Sequence, residues 1–397
     1  MEMRTSSHRP SRHVGTLAGS ALLLGALAAC EGGPLATAPD ATGARATEAP
    51  APAAISVLTW NMYVGTDVDA VLAALHTPDP SDDLAAIQAA LTTLLDTDVD
   101  SRVAAIADQV ARYRPHVLGF EEVSEIHVDL GVPGVPTVDV DFLPILRKAL
   151  ADRGLHCDPV AAGPGLDVSL ASGAVRLSDH DVLFADADRV AVLASEDHAF
   201  TQNLGEALPG VDLTRGWVQA RVEVGGTAYT IVDTHPESDQ GEVSLDELRA
   251  ARLAELSGAV APAERVVLMG DLNGRPGSAM YGVLEAAGFT DAWRALRPAA
   301  AGYTCCHLPD LSDTVGELDH RIDDIVTRGL GRSGPDLQGR IDRLGDVPAD
   351  RGPRREPGAH LPGARAVPAL GADRGARPAP LPQPGHSQPK VPAVRSA

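Results

Sequence analysis

Strand-like apolar runs interleaved with helical segments, one clear hairpin, and polar residues recurring just past buried runs predict a layered α/β or α+β domain on mixed β-sheet. The hairpin is 217–224 and 227–234, alternating in polarity on either side of Gly225-Gly226. The most informative run is Val266-Val267-Leu268-Met269-Gly270-Asp271-Leu272-Asn273. Its apolar residues read as a buried strand. Side chains at i and i+2 share one side of an extended backbone, so Asp271 and Asn273 project together from the strand's C-terminal end. A plain Asx turn would spell the same letters, and the run gains weight from matching pieces elsewhere.

In chain order, 55–60 is a first strand. Residues 83–95 and 101–113 read as helices, the second capped by Ser101. A short buried strand follows at 117–120. Residues 139–153 form a helix closed by Gly154, and 181–185 form a strand. After the hairpin come a helix at 245–260, with an acidic solvated face over 245–255, and the strand 266–269. A helix at 281–287 is stopped by Gly288, and 322–327 is a last strand. No internal repeat is present.

The chain has 397 residues, a 44% hydrophobic content typical of globular proteins, and two lysines, Lys148 and Lys390. Arg4, Arg9 and Arg12 precede an apolar run, 17–29, ending Leu27-Ala28-Ala29-Cys30. A basic start, a short apolar stretch and small residues before a cut describe a secretory signal over 1–29. The run is too short to span a bilayer. The Cys after Leu-Ala-Ala resembles a bacterial lipobox, which implies lipidation of Cys30, a membrane anchor and a cell-surface or extracellular location. Residues 30–54 read as a flexible tether. Export permits a disulfide, and Cys157 could join Cys305 or Cys306; no cysteine spacing suggests zinc. The net charge is −21. The tail from Gly331 has eleven Arg or Lys against six Asp or Glu and residues 1–54 balance, so 55–330 carries −26. Such a body disfavours tight nonspecific nucleic-acid binding but is compatible with metal-dependent phosphoester chemistry, because bound cations change the local charge.

Asn61 follows the first strand, Glu121 and Glu122 the second, His235 the hairpin, and Asp271 and Asn273 the strand above; Asp323 lies in the last strand. Strand ends are where open α/β sheets place their chemistry. In this order Thr59-Trp60-Asn61, Gly119-Phe120-Glu121-Glu122-Val123, Thr234-His235-Pro236-Glu237, Gly270-Asp271-Leu272-Asn273 and Arg321-Ile322-Asp323 resemble the motifs of the endonuclease/exonuclease/phosphatase superfamily over roughly 55–330. The resemblance implies an α+β, DNase I-like four-layer sandwich of two packed mixed sheets flanked by helices. It also implies a Mg²⁺-dependent hydrolase, with Mn²⁺ or Ca²⁺ as alternatives, acting as a monomer on a phosphoester: nucleic acid, phospholipid or a small phosphodiester. Glu122 and Asn61 would hold the metal. Asp271 would orient or deprotonate the attacking water, Asn273 would position the phosphate, and His235 would donate to a phosphoryl oxygen. Asp323 would orient a catalytic imidazole, and Arg321 would meet the substrate phosphate. Glu121 stands where the family has Gln and reads as a neighbour, Asp324 as solvent-facing or the start of a turn, and Trp217 as a core or rim aromatic.

One family motif is missing. The Ser-Asp-His expected after Arg321-Ile322-Asp323 is absent, and downstream only His360 and His386 remain. Ser178-Asp179-His180 spells the motif but stands before the middle of the domain. Residues 331–397 are rich in Pro, Arg, Gly and Ala and read as disordered. A reading-frame shift between about Gly331 and Arg351 would explain both the tail and the missing His, and would leave the sheet without its closing strand. The alternative function is therefore a surface lipoprotein that keeps the fold with impaired catalysis or none.

Overall fold

The computed structural model describes residues 53–345, apart from 76, 78–79, 134, 240–242, 312–317 and 331–336. The expected signal segment, Cys30, almost all of the tether, and the tail beyond 345 with His360 and His386 lie outside the described residues.

Two mixed sheets pack face to face with helices on both outer sides, which is the expected α+β four-layer sandwich. The strands are β1 (Val57–Asn61), β2 (Val117–Glu121), β3 (Glu125–Val128), β4 (Val138–Asp141), β5 (Cys157–Leu170), β6 (Val175–Asp186), β7 (Ala191–Ala199), β8 (Gly205–Leu208), β9 (Val211–Leu213), β10 (Gly216–Val224), β11 (Thr227–Thr234), β12 (Val266–Asp271), β13 (Thr290–Asp291) and β14 (Asp323–Arg328). The helices are α1 (Val68–Leu75), α2 (Pro80–Asp96), α3 (Val99–Tyr113), α4 (Phe142–Ala151), α5 (Asp246–Ala259), α6 (Ala279–Ala286) and α7 (Ala292–Leu296). The first sheet runs β1-β2-β6-β5-β9-β8, with β3 joining β4 to β6; the second runs β13-β14-β12-β11-β10-β7.

Strand parity sorts the core. Leu118 and Phe120 face the outer helices, where Val103, Ile106, Val110, Phe142 and Leu146 bury them. Val117, in the opposite register, meets Leu183, Val218, Ile231, Val267 and Met269 between the sheets. On the far side Leu253, Leu256, Met280 and Leu284 cover Val232, Val266 and Leu268. Strands buried on both faces show as unbroken apolar runs, and that is why β2 and β12 were legible.

The parallel pairs β1/β2 and β11/β12 end at one rim. Strand β14 runs antiparallel to β12, placing Asp323 opposite Asp271 at the same rim. Gly270 makes the exit from β12: its φ is +142°, and a Cβ there would lie 2.1 Å from the Thr234 carbonyl oxygen. Only glycine tolerates both constraints.

The structure adds α1, β3, β4, β5, β7, β8, β9, β13 and α7 to the expected elements and lengthens β6 beyond 181–185. The stretch 139–141, expected as helix, is strand; its last residue Asp141 caps α4 by accepting from Leu143 N at 3.0 Å. Residues 337–345, expected as disordered tail, pack on the domain. Arg297 Nε donates to the Ile341 carbonyl at 2.7 Å, and Leu344 joins the cluster beneath α2, α3 and α4.

Candidate active site

Asn61 ends β1, and its Nδ2 donates both to Glu122 Oε1 at 2.8 Å and to Asp271 Oδ2 at 3.1 Å. One carboxamide thus ties an acid of the first sheet to an acid of the second. Its Oδ1 accepts from Tyr63 N at 2.8 Å, which fixes the amide's orientation. Glu122 takes a second donor, Val64 N, on Oε2 at 2.6 Å. The 62–64 turn that delivers this donor is held from α3, where the buried Arg102 guanidinium donates to the Met62 and Tyr63 carbonyls at 2.5 and 2.6 Å. Glu122 itself sits at φ 55°. A left-handed glutamate is costly and persists only where the surroundings hold it, a condition that concentrates at functional sites.

Asp271 is buried. Its Oδ1 accepts from Asn273 N at 3.0 Å, and His235 Nε2 lies 3.8 Å from its Oδ2. Asn273, at φ 49°, donates from Nδ2 to the Pro236 carbonyl at 3.0 Å, closing the β11 exit onto the β12 exit. Burial, followed by the charge of Asp323, pushes the Asp271 carboxyl up to about 8. Burial also lifts Asp323 to about 6, opposed by the Thr304 hydroxyl. Thr304 Oγ1 accepts from the Ile322 and Asp323 backbone amides at 3.1 Å each. Asn61, Glu122, His235, Asp271, Asn273 and Asp323 therefore converge, as their strand-end positions suggested.

Other expectations need correction. Arg321 is buried, its guanidinium held by Asp291, by Tyr281 Oη at 3.2 Å and by Asp324 at 3.0 Å. It braces β14 against β13 and α6, and the substrate-phosphate role expected for it does not fit that placement. Asp324 is buried as the partner of Arg321, not solvent-facing. Glu121 is a neighbour of the site, as expected, but wholly buried between the sheets beside Asp233. Trp217 is core, stacked on His198 at 4.6 Å. Cys305 and Cys306 are joined to each other, and Cys157 is buried and free. A donor atom of His320 lies within 4.8 Å of both sulfurs, but each sulfur is already engaged by the other. Ser178-Asp179-His180 lies on β6, with Asp179 accepting from Ser124 Oγ at 3.1 Å and His180 beside the Gly163 carbonyl.

Two residues escaped sequence reasoning. Asp181 Oδ2 accepts from the His235 backbone amide at 3.0 Å, and its Oδ1 lies 3.9 Å from His235 Nδ1. Arg215, just before β10, places Nη1 3.2 Å from that same ring nitrogen. The alternation offered a signal for the first: Asp179 and Asp181 continue the inward register of Leu183 and Ala185, so both acids had to point between the sheets. Arg215 offered none, being a lone arginine in a connection.

The donor set at the rim is oxygen from carboxylates and one carboxamide, which suits a hard divalent cation. The carboxylates Glu122, Asp271 and Asp323 lie close enough for the charge of one to raise the pKa of the next. A bound cation would relieve that repulsion, so the residues fit a divalent metal.

The protein-family model described as "Endonuclease/Exonuclease/phosphatase family" matches residues 58–344. Solved structures that resemble the chain include an endonuclease/exonuclease/phosphatase from Beutenbergia cavernae, at 22% identity and TM-score 0.44, covering 69% of this chain and 64% of that one. A mannosyl-6-phosphatase of Bacteroides thetaiotaomicron shows 13% identity and TM-score 0.43, with coverage of 69% and 85%. The D. rerio TDP2 complexed with single strand DNA product shows 17% identity and TM-score 0.40, with coverage of 69% and 83%. No curated protein sequence matches the chain.

Proposed function

The chain belongs to the endonuclease/exonuclease/phosphatase family, and from that premise we propose that it is a metal-dependent phosphoester hydrolase that attacks phosphorus with water in line. The observation carrying this reading is the Asn61 carboxamide bound at once to Glu122 and Asp271, with His235 against the same Asp271. Glu122 and Asn61 would hold the cation, with Mg²⁺ the first candidate and Mn²⁺ or Ca²⁺ the alternatives. When bound, it would supply Lewis-acid polarisation of a phosphoryl oxygen.

Asp271 orients the attacking water and takes its proton, and a carboxyl lifted to about 8 is basic enough to do so near neutrality. His235 donates from Nε2 to a phosphoryl oxygen as charge grows on it. Asn273 closes the β12 exit and sets where the phosphate rests. The cavity that opens at this rim, about 1240 Å³, continues along β1 as far as Ala53, Tyr229 and Arg265, and only its rim end faces Glu122, His235 and Asp271. Nucleic acid, phospholipid and small phosphodiesters all remain candidate substrates. The −26 charge of the body weighs against tight nonspecific DNA binding.

The reading is tested by Mg²⁺-dependent hydrolysis across a panel of phosphomonoesters and phosphodiesters. The Asp271→Ala variant should lose on the order of 10³-fold in kcat. The wild-type rate should climb with pH, with a midpoint no higher than about 8, because the base acts deprotonated. Hydrolysis untouched by Asp271→Ala would sink the assignment.

One observation favours a second reading, a catalytically impaired protein that keeps the fold. The family's closing Ser-Asp-His does not follow Arg321-Ile322-Asp323 in the sequence, and among the described residues the Asp323 carboxyl is hydrogen-bonded by Thr304 rather than by an imidazole. A panel with no turnover despite measurable Mg²⁺ binding would select it.

We further propose, from Leu27-Ala28-Ala29-Cys30, that the chain is exported and held at the membrane by lipid on Cys30. In a bacterial host the wild-type chain should partition into the detergent phase, and Cys30→Ser should move it to the aqueous phase.

A further inference from the structure

His235 is enclosed on every side by groups that could set its protonation. Asp181 approaches from β6, Asp271 from β12 and Arg215 from the connection before β10, and Arg215 in turn faces Asp179 and Glu237. Only one of these is at hydrogen-bond distance from a ring nitrogen: Arg215 Nη1, 3.2 Å from Nδ1. The Asp181 carboxylate, the obvious alternative partner, gives Oδ2 to the His235 backbone amide, and its Oδ1, which has no hydrogen-bond partner, stands off from Nδ1 at 3.9 Å.

A guanidinium has donors and no acceptor. A ring nitrogen that meets one must therefore offer its lone pair, and the ring proton must sit on the other nitrogen. We propose that Arg215 is the positioning residue that locks His235 in its neutral, Nε2-protonated tautomer, making His235 a fixed hydrogen-bond donor rather than a carrier of protons. This goes beyond the hydrolase reading, although the use of the donor, toward a phosphoryl oxygen, rests on it.

The arginine is itself locked. Its Nε donates to Glu237 Oε1 at 3.0 Å. The other oxygen of Glu237 takes Arg252 Nη1 at 2.5 Å, and Arg252 is fully buried under α5. Asn203 Oδ1 receives both the Arg215 backbone amide at 2.8 Å and Arg252 Nη2 at 3.0 Å. Arg215 thus has little freedom to swing away, and Asp181 cannot reach Nδ1 while it stays. Burial and the arginine's charge both act against an imidazolium here and hold its pKa well below the ordinary histidine value. The proton on Nε2 points toward Asp271 and the rim, where a substrate oxygen would arrive.

The test uses the full chain labelled with ¹⁵N at histidine, with the His235 signals assigned by their loss in His235→Gln. The long-range ¹H–¹⁵N pattern of the wild type should be that of a neutral, Nε2-protonated ring, unchanged from about pH 5.5 to about pH 8.5, where an ordinary histidine titrates. Arg215→Met removes the donor, and the pattern should move to Nδ1-protonated or titrate within that window. Arg215→Gln removes the charge but keeps an N–H donor, and the Nε2-protonated pattern should survive. A wild-type ring that is Nδ1-protonated or titrates in the window overturns the proposal. So does a Gln variant whose tautomer changes as fully as that of the Met variant. Kinetics give a second, separate arm: Arg215→Met should lower kcat by roughly 100-fold with little change in KM, and Arg215→Gln by far less. If no phosphoester is turned over but the spectra behave as stated, the hydrolase reading falls and the tautomer assignment stands.

Discussion

Asp233 points into the space between the sheets beside Glu121, and the two carboxyls are joined by a side-chain hydrogen bond, which requires a proton on one of them. Burial drives both acids well above their ordinary values. Folding therefore takes up protons that the unfolded chain would release. The stability tied to this pair is complete below the unfolded values and drains away as pH rises through the folded ones. The amide introduced by Asp233→Asn could donate to Glu121 without a shared proton. That variant should raise the melting temperature at pH 8 and do little at pH 5, a change read by paired thermal melts; at roughly 2–4 °C per kcal/mol the shift is easily measured. An unchanged difference between the two pH values would refute the protonated pair. Residues of this kind mark the limit of reading from sequence. Asn61, Glu122, His235, Asp271, Asn273 and Asp323 were legible because a polar residue at the end of an apolar run has few structural reasons to be there. Arg321 misled because an arginine beside a site motif suggests phosphate, and only the packing of Asp291 and Asp324 around it shows otherwise.

At the scale of elements, the β12 exit depends on Gly270. The variant Gly270→Ala puts a methyl 2.1 Å from the Thr234 carbonyl oxygen at a φ that L-residues avoid. It should cost about 3 kcal/mol and misplace Asp271 and Asn273 together, so circular dichroism should report a lowered midpoint and activity should fall further than folding alone explains. Strand β12 was plain in the sequence because four consecutive apolar residues suit a strand buried on both faces. Strand β5 was hidden for the opposite reason: Pro159, Gly163, Pro164 and Gly165 break every local strand signal, and its pairing with β6 shifts register at two places. At Gly165 a Cβ would sit 2.5 Å from the Asp179 carbonyl, so the glycine is required by the neighbouring strand and not by the local chain. Strand β7 is hidden too, because it is an exposed edge whose side chains face water along almost its whole length.

Over the whole molecule, a site built from crowded carboxylates is a site whose occupation stabilises the fold. Saturating Mg²⁺ at a hundred times its dissociation constant should add about 2.7 kcal/mol by mass action. Scanning calorimetry with and without the ion should show the higher midpoint, and Glu122→Gln should abolish most of the difference. A midpoint indifferent to Mg²⁺, Mn²⁺ and Ca²⁺ would remove the metal from the account. A layered domain on mixed sheet could be anticipated from the alternation of segments, and the two packed sheets only from the family resemblance. Which strands belong to which sheet could not, since that depends on contacts made far along the chain.

The chain laces those sheets. It lays β1 to β6 in the first, crosses to the second for β7, returns for β8 and β9, and only then completes the second from β10 to β14. Asn61 comes from the earliest strand, and Asp323 opens the latest. A polypeptide still leaving the ribosome, or being threaded through a pore, consequently holds an unfinished rim until almost all of it has emerged.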